Sequence, residues 1–142
     1  MLEAPILERI DVERHYENSP DLSWLKQDYF CDKYTGKEAY MNVSHELNEE
    51  YKARDAERLR AYYNDEWCML GIVAKAWITL HHKGLAFQHE FNESVWGVES
   101  DSEEHIKNMI QEQVDILTHQ AQLNGIVVSP NLQVIINEDI KQ

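Results

Sequence analysis

Glycine is scarce in this chain, and it is scattered. The five glycines, at positions 36, 71, 84, 97 and 125, never cluster into a loop that could cradle phosphate, and no GxSxG elbow occurs. No HExxH pattern and no CxxC pair is present, which removes the commonest zinc signatures. The two cysteines, Cys31 and Cys68, lie far apart; Cys68 falls on an apolar strand face, which favours a reduced, buried thiol over a disulfide. Met1-Leu2-Glu3-Ala4-Pro5 lacks the basic start and apolar run of a signal peptide. No apolar stretch reaches the ~18–20 residues that span a bilayer. A soluble, cytoplasmic protein with no membrane contact is the expectation.

Positive charge is the last deficit. Twenty-six acids face 13 bases, for a net charge of −13. Residues 84–142 hold ten acids and two bases, Lys107 and Lys141, and residues 90–104 hold six acids with no Lys or Arg. Without a basic patch, direct binding to nucleic acid phosphates is disfavoured. An acidic surface attracts basic partners instead, including the basic grooves of nucleic-acid-binding proteins. Solubility alone is the plainer explanation.

What is present is pattern. With 142 residues, no internal repeat, no low-complexity tract and no linker, the chain reads as a single α+β domain. From Cys68, every second residue is apolar through Leu70, Ile72, Ala74, Ala76, Ile78 and Leu80, which predicts a strand with one face on a core. His81-His82-Lys83-Gly84 supplies a turn, and Leu85, Phe87, His89 and Phe91 alternate on a return strand. Asn92-Glu93-Ser94 breaks that pattern as a bulge would, before Val95-Trp96-Gly97-Val98 resumes it. Ser100 and Glu103 have capping-box spacing at the start of a long amphipathic helix. Its apolar stripe is Ile106, Met109, Ile110, Gln113, Val114, Leu117 and Ala121, and Gly125 follows as a stop. The expected architecture is an antiparallel sheet built on the Glu66–Val98 hairpin, with this helix packed on one face and additional short helices.

The residues Glu66, Trp67, Gly71, Ile72, Ala74 and Ala76, then Trp96-Gly97-Val98-Glu99-Ser100-Asp101-Ser102, form the pattern EWxxxGIxAxA followed by WGVESDS. This combination resembles a family of small proteins encoded by phages, prophages, plasmids and other mobile elements, to which no activity is assigned. The resemblance covers roughly Asp65 to Asn124, and Asp21-Leu22-Ser23-Trp24-Leu25 is similar to the family's opening. It implies a mobile-element context, hence the cytoplasm of a host cell, and it transfers no catalytic residue.

Elsewhere, residues 2–18 fit either a short strand or a mobile arm. Ser19-Pro20-Asp21 reads as a helix start, with Leu22, Trp24, Leu25 and Tyr29 to seat the helix. Residues 31–44 read as a loop. A second helix is predicted from Asn48 to about Tyr63, with Glu50, Arg54 and Arg58 on a solvated face and Tyr51, Leu59, Tyr62 and Tyr63 opposite. Residues 126–128 and 132–136 read as strands around Ser129-Pro130-Asn131.

No catalytic residue, metal site or cofactor is predicted. His81, His82 and His89 could approach across the hairpin beside Glu90, although polar turn positions explain them equally well. The acids Glu90, Glu93, Glu99, Asp101, Glu103 and Glu104 are the candidate binding surface, and helix capping accounts for the last of them without any ligand. Trp67, Met69 and Trp77 share a mixed strand face that would serve a partner, or a homodimer, if nothing covers it. Three functions are in view. The first is a non-enzymatic acidic protein that binds a host or element protein, a nucleic-acid-binding one included, and so inhibits a host defence protein. The second is a small ligand-binding module or enzyme with a His/Glu/Tyr pocket formed by His89, Glu90 and the tyrosines of the Tyr51–Tyr63 helix. The third is a structural or assembly component of the element.

Overall fold

The alternation that begins at Cys68 forms one strand of 14 residues, Met69–His82 (β4), in a computed structural model that describes residues 4–22, 30–31, 38–39 and 45–142. The other strands are β1 (Ile6–Tyr16), β2 (Phe30–Cys31), β3 (Glu38–Ala39), β5 (Leu85–Glu99) and β6 (Val127–Lys141). The helices are α1 (His45–Tyr63) and α2 (Glu103–Leu123). These elements make an α+β fold. The chain divides into two compact units, one joining Met1–Asn18 to Met69–Gln142 and the other spanning Ser19–Cys68.

The first unit is a four-stranded sheet in the order β5-β4-β1-β6. Strand β4 runs antiparallel to both β1 and β5, whereas β1 and β6 are parallel. The sheet is therefore mixed, which corrects the antiparallel expectation. The reason lies in the connection: α2 carries the chain back along the sheet, so β6 sets out in the direction of β5, which is also that of β1. Of the two readings open for residues 2–18, the strand is observed. Leu7, Ile10 and Val12 are at most 1% exposed. Their spacing hides the strand because the register shifts between Leu7 and Arg9, so Leu7 and Ile10 share a face despite being three residues apart.

Helix α2 lies across all four strands. Ile106, Ile110, Gln113, Val114, Leu117 and Ala121 are buried, on the predicted stripe. Each large apolar side chain sequestered in this way contributes about 1.5–3 kcal/mol. Opposite them, Leu70, Ile72, Ala74 and Ala76 are fully buried, and the two alanines leave room for the helix. The capping box is not formed. The cap position is Ser102, it makes no side-chain capping bond, and Glu103 instead accepts from Arg14 at 3.4 Å. The physical reason is a turn closed by Ser102 N–H on the Glu99 carbonyl at 3.3 Å, which delays the helix by two residues. At the other end Gly125 N–H donates to Gln122 O and Ile126 N–H to Ala121 O, the two bonds of a Schellman stop, with Gly125 at φ +73°.

The β4–β5 turn has Lys83 at φ +50° and Gly84 at φ +78°, the geometry of a two-residue type I′ hairpin. The bulge expected at Asn92-Glu93-Ser94 is not there, since these three pair regularly with Lys75, Ala74 and Val73. The irregularity falls four residues later, where Leu70 pairs with Val98 and Ile72 with Val95. There the Trp96 ring lies on Gly71, so closely that a side-chain carbon on Gly71 would overlap it.

In the second unit β2 pairs antiparallel with β3, and α1 matches the helix expected there. Arg54 reaches Glu50 at 3.5 Å, on the solvated face anticipated. Arg60 binds Glu57 and also Glu66; the Glu57 carboxyl is consequently held below its ordinary range and the guanidinium pKa is raised. Residues 19–22 are not helical, and the remainder of the short helix predicted there, with Trp24, Leu25 and Tyr29, lies outside the described residues, as does most of the 31–44 loop.

Candidate functional site

The acids Glu90, Glu93, Glu99, Asp101, Glu103 and Glu104 are close in sequence but divided in space. Strand alternation turns Glu93 towards α2, where its carboxylate accepts from Gln120 Nε2 at 3.0 Å. Glu90 stands opposite Trp77 and faces the other side of the sheet. Glu99 closes the strand, roughly 30 Å from Glu90 at the rise of extended chain. Asp101, Glu103 and Glu104 then open onto the solvent side of α2, and Glu112 and Asp115 continue along it. Lys107 is the one base in this helix. Glu104, Asn108, Gln111, Glu112 and Asp115 recur at helical spacing on that exposed side, and Gln111 Nε2 bonds Asp115 at 2.8 Å. The result is an acidic ridge on α2, with Glu112 and Asp115 as members that the Glu90–Glu104 run did not include. Helical periodicity, applied to charge as well as to apolar residues, would have found them.

The condition under which Trp67, Met69 and Trp77 would serve a partner, that nothing covers them, is not met by Trp67 and Met69. Trp67 is 3% exposed and Met69 4%. Trp67 lies in the Ser19–Cys68 unit, with the Arg58 guanidinium 3.7 Å over its ring, Tyr62 edge-on at 5.3 Å, and its N–H donated to the Arg58 carbonyl at 2.9 Å. Trp77 is half-buried; its N–H donates to Asp11 at 2.9 Å and Arg9 stands over its ring. Each of the two indole N–H groups has a polar partner that holds its ring in place.

Facing away from α2 is a charge cluster drawn from three strands. The Glu13 side chain, 9% exposed, meets Lys75 Nζ at 2.9 Å, Lys141 Nζ, and His15 Nε2 at 3.4 Å. A carboxylate this buried requires such partners. Nothing in local sequence joins positions 13, 75 and 141; strand order does.

The histidines do not converge. His89 pairs with Ile78, whereas His81 and His82 pair with Ala86 and Leu85 nearer the turn. Among the described residues no group of three His, Cys, Asp or Glu is arranged to hold a metal ion. His89 instead lines an apolar groove of about 500 Å³ between the hairpin and the end of α2, with Ile78, Phe91, Gln120, Asn124 and Ile126. An adjoining space of about 360 Å³ extends past Leu80 and Phe87. Glu90 points away from it. Among the described residues no helix is long and apolar enough to cross a membrane.

The residues that carry the family resemblance are largely packing residues: Gly71 lies under Trp96, and Ile72, Ala74, Ala76 and Val98 are in the core. No protein-family model matches the chain, and no curated protein or solved structure matches it either.

Proposed function

We propose that this chain is a non-enzymatic acidic binding protein of a phage or another mobile element, working in the cytoplasm of the host cell. The observation that carries the reading is the ridge of Glu104, Glu112 and Asp115 on the solvent side of α2, in a chain of net charge −13. Such a surface steers a basic partner into encounter and loses that advantage as salt screens it. In its specific form the partner is a host defence protein, inhibited at its basic nucleic-acid-binding site. The WGVESDS resemblance supports the mobile-element setting.

The test is recovery of partner proteins from host lysate on immobilised chain, at low salt and at high salt, beside a variant with Glu104, Glu112 and Asp115 all changed to Gln. Salt-sensitive capture of a basic protein, weakened in the variant, is expected. Recovery of nothing at low salt overturns the proposal.

A second reading, a small-ligand module, is favoured by the groove at His89, whose volume suits a small molecule. Its polar groups would be His89, Gln120 and Asn124, without Glu90. A thermal-shift screen with nucleotides and related ligands separates the two readings.

A further inference from the structure

Half of the large apolar side chains left exposed among the described residues lie on one strand, β6. They are Val127, Val134, Ile135, Ile136 and Ile140, each 40–50% exposed. Strand β6 is an edge of the sheet, and among the described residues no strand pairs with its outer side. Its inner side pairs regularly with β1 from Gln133 to Ile136, between two places where the register shifts. Val134 and Ile136 lie beside Ile10 and Val12 on the α2 face, and Ile135 lies beside Asp11 on the other. An unbroken apolar run is the pattern of a strand buried on both faces, yet this one is open on both. Unpaired backbone N–H and C=O groups flanked by such side chains are a template for one more strand.

We propose that β6 pairs antiparallel with β6 of a second copy about a two-fold axis at Ile135, joining two four-stranded sheets into one of eight strands. Charge selects this occupant and this edge. From Ile116 to Asn137 the chain carries no Asp, Glu, Lys or Arg, the longest such stretch it has. Two molecules of charge −13 repel wherever their acids meet, and along this run they meet none. A basic partner would find no acid on the run to pair with. The other edge, β5, carries Glu90, Glu93 and Glu99. The register is also self-complementary. With Ile135 opposite itself, Val134 stands opposite Ile136 of the second copy, so every apolar residue of the run meets another. Moving the axis to Val134 would set Ile135 against Gln133 instead. Glu138 then lies roughly 20 Å from its symmetry mate, beyond the ~8 Å over which charges act at physiological salt. Opposed residues of an antiparallel pair share a face, so both copies of α2 lie on the same side of the joined sheet, with their acidic ridges on one surface. The inference does not rest on the acidic-binding reading.

The test is sedimentation of the full chain across a dilution series, at low and at physiological salt. A dimer is expected that tightens as salt rises, because screening weakens repulsion between the copies; capture of a basic partner responds in the opposite direction. Ile135→Lys sets like charges face to face at the axis and is expected to weaken association about thirtyfold or more, with circular dichroism to verify the fold. A second variant fixes the register. Directly opposed residues lie about 4.5–5.5 Å apart between Cα atoms, within reach of a disulfide. Mild oxidation of Ile135→Cys is therefore expected to give a covalent dimer on a non-reducing gel. Ile140→Cys, roughly 33 Å from its mate, and the wild-type chain with its own two cysteines are expected to give none. A monomer at every concentration and salt overturns the proposal, as does a dimer that Ile135→Lys leaves intact. Equal cross-linking of both cysteine variants overturns it too. Dissociation by Phe87→Ala alone assigns the contact to the groove near β5 and overturns the pairing of β6. None of these outcomes bears on capture from lysate, which tests the acidic-binding reading separately.

Discussion

Gly71 and Gln113 show how far single positions constrain this protein. The Trp96 ring occupies the space where any other residue at 71 would place its first side-chain carbon. Gly71→Ala must push the indole away or bend β4, and overpacking of this kind costs about 1–3 kcal/mol. Urea unfolding should show a lower midpoint, and the double variant Gly71→Ala/Trp96→Ala should recover part of the loss. Gln113 is the opposite case. It is 3% exposed, within the buried stripe of α2, and its Oε1 finds no hydrogen-bond donor among the described residues. Gln113→Met keeps the length and removes the orphaned oxygen, so a gain of about 1 kcal/mol in unfolding free energy is expected. A loss would mean that the amide contributes a bond the static structure does not contain.

At the scale of elements, ends and irregularities are less legible in the sequence than the elements themselves. The alternation of β4 and the stripe of α2 were plain because burial on one side imposes a period on the residues that accomplish it. The start of α2 was not, because Ser100 and Ser102 are chemically equivalent caps and a turn at Glu99–Ser102 chose between them. The β5 bulge departs from its expected place for a similar reason. Asn92 and Ser94 look like pattern breakers, yet they pair regularly, and the bulky contact of Trp96 with Gly71 displaced the register instead. The helix stop falls where Gly125 places it, since few residues other than glycine tolerate φ +73°. Gly125→Ala should therefore lower stability by about 1 kcal/mol, visible as a drop in Tm, with the helix content of the folded state unchanged.

For the whole molecule, charge is the dominant fact. A net −13 on 142 residues means self-repulsion in the folded state, which is more compact than the unfolded chain. Raising the salt concentration from low to physiological should therefore raise Tm, while weakening the attraction of any basic partner. A Tm that falls with salt would indicate that local ion pairs such as Glu13 with Lys75 and Lys141 outweigh the general repulsion.

Composition and periodicity were enough to specify an α+β protein with an acidic second half, a central hairpin and one long helix after it, because each of these is a property of neighbouring residues. Packing in three dimensions settled the rest. The parallel partnership of β1 and β6 depends on how α2 returns the chain, the Glu13 cluster on which strands lie side by side, and the burial of Met69 on its place beside Glu17 and Glu99. The groove beyond α2 exists because one element is longer than its neighbour, a difference that only assembly exposes. Chemistry carried by adjacent residues is written in order along the chain; chemistry carried by surfaces depends on what covers them.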